Sequence, residues 1–110
     1  MAPQLFTIKK RATFVHIRDK GVFIRSKNIN VQKLLNQDLD GKIGVGYTAT
    51  KRIGNAVKRN KAKRIMRELA KKILIKGKTN TYYVLIAKLS ILDTKFKTLL
   101  EEMESIIHVK

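Results

Sequence analysis

Residues 44–69 read GVGYTATKRIGNAVKRNKAKRIMREL, and this stretch decides how the chain folds. With Ile43 before it, the first part alternates: Ile43, Val45, Tyr47 and Ala49 against Gly44, Gly46, Thr48 and Thr50. A period of two marks a strand, here with one larger-residue face and one nearly bare face. Small residues on a strand face let a helix, another backbone or a ligand come close. A Gly54-Asn55 turn follows, with Asn55 placed to cap a helix. Beyond it Ala62, Ile65, Met66, Leu69 and Ile73 recur at steps of three and four, forming one apolar stripe. Asn60, Lys63, Arg64, Arg67 and Lys71 line the opposite side. Gly77 closes the helix, and Lys71, Lys72 and Lys76 suit the negative pole of its dipole. Eleven of the chain's 25 basic residues fall between Lys51 and Lys76, against one acid, Glu68. So dense a block of like charge repels itself, and a polyanion is the simplest compensation.

Working outward, Thr13 is expected to cap a short helix carrying Phe14 and Ile17 and ending at Gly21. Residues 22–36 read as a strand, with room for an extra short one, and Asn36–Lys42 as a turn. Residues 82–89, YYVLIAKL, are apolar on both parities, which predicts a strand covered on both faces. Phe96, Leu99, Leu100, Met103, Ile106 and Ile107 form the stripe of a last helix, capped by Asp93. Its Glu101, Glu102 and Glu104 point it away from a polyanion. The predicted order is α-β-β-α-β-α in one domain spanning 1–110, with residues 1–10 ahead of the first element as an arm free to be flexible.

Composition narrows the classes. The 110 residues are 44% hydrophobic, which suits a folded domain rather than a disordered basic tail. The formal charge is +17 and the pI near 10.5. That balance attracts phosphates or anionic lipid. With no cysteine there is no disulfide framework and no cysteine-based zinc site. His16 and His108, both expected at the surface, and the few acids argue against a metal cage built from this chain. No apolar run is long enough to span a membrane. The first residues, MAPQLFTIKKRATF, carry no long apolar stretch and no small-residue cleavage site, so a cytoplasmic location is expected. No Walker loop, no GxSxG and no paired-carboxylate arrangement is present. Any catalysis is therefore expected to reside in a partner.

The basic stripe could be an ordinary solvated face, but mixed charges and ion pairs would serve solubility better. Phosphate contact fits: arginine gives bidentate hydrogen bonds and lysine a compact charge. Asn60 interrupts the basic run, and its amide suits a base edge, a 2′-hydroxyl or neighbouring backbone. Phe14, Phe23, Tyr47, Tyr82 and Tyr83 are candidates for base stacking, although Tyr83, like Phe96, is expected in the core.

The run from Gly46 to Glu68 closely resembles the signature of the bacterial ribonuclease P protein subunit. The matching pieces are Thr50-Lys51-Arg52, Gly54-Asn55-Ala56-Val57, Arg59-Asn60-Lys61, Lys63-Arg64 and Arg67-Glu68. The resemblance implies an α+β, two-layer α/β sandwich similar to the ribosomal protein S5 domain 2-like fold. It further implies that strands near Thr50 and Tyr82 are parallel neighbours, joined through the basic helix by a left-handed βαβ crossover. General strand chemistry would predict the right hand, found in about 98% of such units. The implied function is that of a protein component of an RNA enzyme removing 5′ leaders from precursor tRNA. Catalysis and the magnesium ions would belong to the RNA subunit. Arg59, Asn60, Lys61, Lys63, Arg64 and Arg67, with Lys71 further along the stripe, would face the catalytic RNA. Phe14, Lys51, Arg52 and Lys88 would lie on or near a cleft for the leader. The implied partners are the catalytic ribonuclease P RNA and precursor tRNA, with no membrane.

Two departures from the family pattern stand out. Lys61 replaces the third residue of Arg-Asn-Arg, which keeps charge but loses a bidentate fork. Arg18 stands four residues after Phe14, where a second aromatic is usual, and Asn30 or Gln32 stands where a strand aromatic often does. Leader binding is thus expected to depend more on charge and less on stacking. Two competing readings are an RNA-binding protein of another assembly, such as a ribosomal protein, and a membrane-surface protein using the basic helix. The linked signature argues against the first. The second would require the apolar stripe that the core itself needs.

Overall fold

The structure, a computed structural model, describes residues 3–108. The ends of the expected 1–110 domain, residues 1–2 and 109–110, lie outside the described residues. The elements in chain order are β1 (Leu5–Thr7), α1 (Arg11–Lys20), β2 (Val22–Ile24), β3 (Ile29–Leu35), β4 (Ile43–Thr48), α2 (Ala56–Ile73), β5 (Thr81–Ala87) and α3 (Phe96–Ile107). The strands form one five-stranded sheet in the order β1-β4-β5-β3-β2. β4 is parallel to both β1 and β5; β3 runs antiparallel to β5, and β2 antiparallel to β3. β4 and β5 are therefore parallel neighbours connected through α2, as expected.

Strand parity divides the molecule. Ile43 and Val45 of β4, Tyr83 and Leu85 of β5, and Ile29 and Val31 of β3 point to one face. There they pack on Met66, Leu69 and Ile73 of α2 and on Leu99, Met103 and Ile106 of α3. This is the two-layer sandwich and the main core. Among the described residues α1 is the one helix on the other face, where Ile17 packs with Ile8 and Val84 in a smaller cluster. The bare face of β4 makes room for it. A Cβ on Gly46 would overlap the Phe14 ring, and one on Gly44 would press on the Phe6 and Tyr82 rings. β5 is thus covered from both sides at Tyr83, Val84 and Leu85, as its unbroken apolar run predicts.

Three expectations need correction. The arm is not without structure: Leu5–Thr7 forms β1, tied by Ile43 N–H to Gln4 C=O (2.9 Å) and Ile8 N–H to Val45 C=O (2.8 Å). Three residues are too few to display a period, so only pairing with β4 defines them. Residues 22–36 do hold the extra short strand for which the sequence left room, as β2 ahead of β3. Asn30 Oδ1 accepts from Ser26 N–H at 2.9 Å and turns the chain between β2 and β3. α1 begins at Arg11 after Lys10, with no side-chain cap, so Thr13 sits inside the helix. Asp93 closes a 3-10 turn at Leu89–Leu92, and α3 starts after Lys95. The Thr94 hydroxyl donates to Ser90 C=O at 2.7 Å, with Asn28 Oδ1 also within reach at 3.1 Å.

Glu102 fastens the β2–β3 turn to α3. Its carboxylate accepts from Ser26 Oγ (2.6 Å), Asn28 N–H (2.8 Å) and Asn28 Nδ2 (2.8 Å). Asn28 is only 2% exposed, so these bonds satisfy a side chain that would otherwise be costly to bury. Burial pushes the Glu102 carboxyl up, but hydrogen bonds from Ser26, Asn28 and the Ile29 backbone outweigh it and hold the group below the usual glutamate value.

Candidate nucleic-acid interface

The Gly54-Asn55…Arg59 spacing has a local structural reason. Gly54 sits at φ 130°, a conformation that disfavours any residue with a side chain. It follows a 3-10 turn, Lys51–Ile53, pinned by buried Ile53. Asn55 then caps α2, its side chain accepting from Lys58 N–H at 3.0 Å. Arg59 Nη1 reaches back and donates to Gly54 C=O at 2.7 Å. The turn, the cap and the first helical turn are thus locked together.

This clamp explains why Arg59 is only half-exposed. It stands seven residues before buried Met66, close to two full turns, and so near the core side of the helix. Lys63 is half-exposed for a similar reason. Asn60, Lys61, Arg64, Arg67 and Lys71 are all exposed. Val57 shares their face and is 77% exposed, an apolar residue that the charge pattern did not single out. The Arg67 guanidinium lies 5.6 Å from the centroid of the Tyr47 ring on β4. Burial raises the Tyr47 hydroxyl above its ordinary value, against a smaller opposing pull from Arg67, so the ring is a neutral platform at physiological pH. Lys71 meets Glu68 at 3.6 Å, and both are largely solvated, so that pair adds little stability.

A second basic surface lies across the sheet. A groove of about 290 Å³ runs between α1 and the strands. Arg11, Phe14, Val15 and Arg18 of α1 form its wall; Thr48, Val84, Ile86 and Gln32 form its floor. Phe14 packs on Gly46 and is partly open to the groove. Lys51 and Arg52 are exposed on the turn that follows Thr48. Lys88 is half-buried at the end of β5, and its ammonium donates to Ser26 C=O at 2.6 Å. That bond gives Lys88 a structural role in the β2–β3 turn. Of Asn30 and Gln32 on β3, Gln32 lines the groove while Asn30 holds the turn. Arg11 was not singled out by sequence reading, because α1 begins earlier than its cap signal suggested. Among the described residues no cluster of His, Cys, Asp or Glu could hold a metal ion, and no helix is long and apolar enough to cross a membrane.

Fold and site together describe a small α/β module that carries a basic helix on one face of its sheet and a basic groove on the other. The chain belongs to the ribonuclease P protein family: the Ribonuclease P family model matches residues 2–109. A ribonuclease P protein component from Gluconacetobacter diazotrophicus is 38% identical over 68 residues, 62% of this chain and 58% of that protein. One from Caulobacter vibrioides is 37% identical and covers 74% of this chain and 54% of its own length. This chain thus spans little more than half the length of these relatives. One from Carboxydothermus hydrogenoformans is 30% identical over 91% of this chain and 86% of that protein. The structure of the Staphylococcus aureus RNase P protein superposes with a TM-score of 0.79, at 28% identity, over 92% of this chain and 91% of that one. The RNase P protein from Thermotoga maritima shares the fold, with a TM-score of 0.82 at 19% identity over 96% and 98% of the two chains.

Proposed function

We propose that this chain is the protein component of a ribonuclease P ribonucleoprotein, which removes the 5′ leader from precursor tRNA in the cytoplasm. Catalysis and its magnesium ions reside in the RNA subunit. The outer face of α2 binds that RNA through Asn60, Lys61, Arg64, Arg67 and Lys71, with Arg59 and Lys63 at its margin. The groove beside α1 takes the single-stranded leader, with Phe14 against a base and Lys51 and Arg52 near its phosphates. One observation carries this reading. The two cationic surfaces lie on opposite faces of one sheet, joined by the rigid Lys51–Asn55 segment, so one small protein can touch two RNAs at once.

Physically, the protein lowers the repulsion between two polyanions. Cations fixed within a Debye length of about 8–10 Å of a phosphate do work that dissolved magnesium would otherwise do. The stimulation should therefore be greatest at low magnesium. The test is cleavage of precursor tRNA by the cognate catalytic RNA, with and without this chain. Equal rates at low magnesium would sink the proposal.

A further inference from the structure

Phe23 is 48% exposed and belongs to neither core cluster among the described residues. Its position is set by pairing. Opposite residues of neighbouring strands share a face; Phe23 lies opposite Gln32, and Gln32 opposite Val84. Gln32 and Val84 both line the groove, so Phe23 stands on the same floor, two strands out from β5. At about 4.8 Å per strand, the backbone at Phe23 is roughly 14 Å from Gly46, on which Phe14 packs. The Arg25 guanidinium lies 5.8 Å from the Phe23 ring centroid. The groove floor therefore does not end at Gln32. It continues to an open aromatic ring with a cation beside it.

We propose that Phe23 and Arg25 form a base-stacking subsite at the outer end of the groove, holding an unpaired nucleotide of single-stranded RNA beyond those beside Phe14. This rests on the reading of the groove as the leader site. An exposed ring accepts any base, and a neighbouring guanidinium neutralises the phosphate that comes with it. Arg11 and Arg18 on the wall carry the strand between the two rings. Asp19, the acid near this path, is paired with Arg18 at 3.4 Å.

The test uses the chain reconstituted with its catalytic RNA and precursor tRNAs whose leaders are shortened one nucleotide at a time. Phe23→Ala should weaken binding of the long-leader substrate by roughly 5- to 100-fold, the range for loss of one stacked base. It should leave short-leader and leaderless substrates unchanged, and Phe23→Tyr should restore the loss. An abasic site at the responsible leader position should make Phe23→Ala silent. Thermal unfolding of each variant checks that the fold is intact. If the unaltered holoenzyme discriminates by leader length but Phe23→Ala does not change that profile, the subsite is disproved and the leader groove stands. If Phe23→Ala weakens leaderless tRNA or the catalytic RNA equally, the ring belongs to the assembly surface and the proposal is wrong. If leader length has no effect even in the unaltered holoenzyme, the leader-groove reading itself has failed.

Discussion

The outer face of α2 and the groove beside α1 are both basic, but they are assembled in different ways. The α2 face comes from one helix, held at its start by Gly54, Asn55 and Arg59 and along its length by Met66 and Leu69. The groove is composite. Its wall is a ten-residue helix and its floor takes side chains from β3, β4 and β5, whose order in the sheet is not their order in the chain. A single-helix surface tolerates loss of one contact without changing shape. A composite surface depends on register and on the turn that orients its edge strand.

Leu69→Ala should produce the largest effect. It opens a cavity under α2 and should cost about 2–5 kcal/mol of stability, read by denaturant unfolding without RNA. Because that cavity underlies the helix, the α2 face should suffer before the groove does. Preserved catalytic-RNA binding in a clearly destabilised protein would show that the face does not need a rigid helix.

Arg64→Ala and Arg67→Ala come next. Each should weaken binding to the catalytic RNA by about 1–3 kcal/mol while leaving the fold intact. Each should also reduce the salt slope by about one; for six to eight phosphate contacts the parent slope should be about −5 to −7. Lys51→Ala and Phe14→Ala should spare assembly and weaken leader-bearing substrate only. Equal loss of catalytic-RNA binding from Lys51→Ala and Arg64→Ala, in folded proteins, would merge the two surfaces into one.

The smallest effect should come from Glu102→Gln, at about 1 kcal/mol of stability near neutral pH. The folded-state carboxyl lies below its ordinary value, so its contribution is present above the unfolded value of about 4.3 and is lost as pH falls through the lowered one. Stability curves of parent and variant should therefore converge in acid. A constant gap down to low pH would mean that the Glu102 charge is not what holds the β2–β3 turn.

The sequence by itself determined α2, its cap at Asn55, its apolar stripe and its basic outer side, since all of these repeat within one element at the helical period. The bare face of β4 was legible too, though not what would fill it. Only the tertiary structure decided that the Phe14 ring occupies that space and that three residues of the arm become an edge strand. The same holds for Lys88, which ties down a turn, for Arg59, which folds back on Gly54, and for Phe23, which shares a floor with Gln32. Each of these depends on which strands become neighbours and in what register. Such pairing joins residues far apart in the chain, and no local period records it.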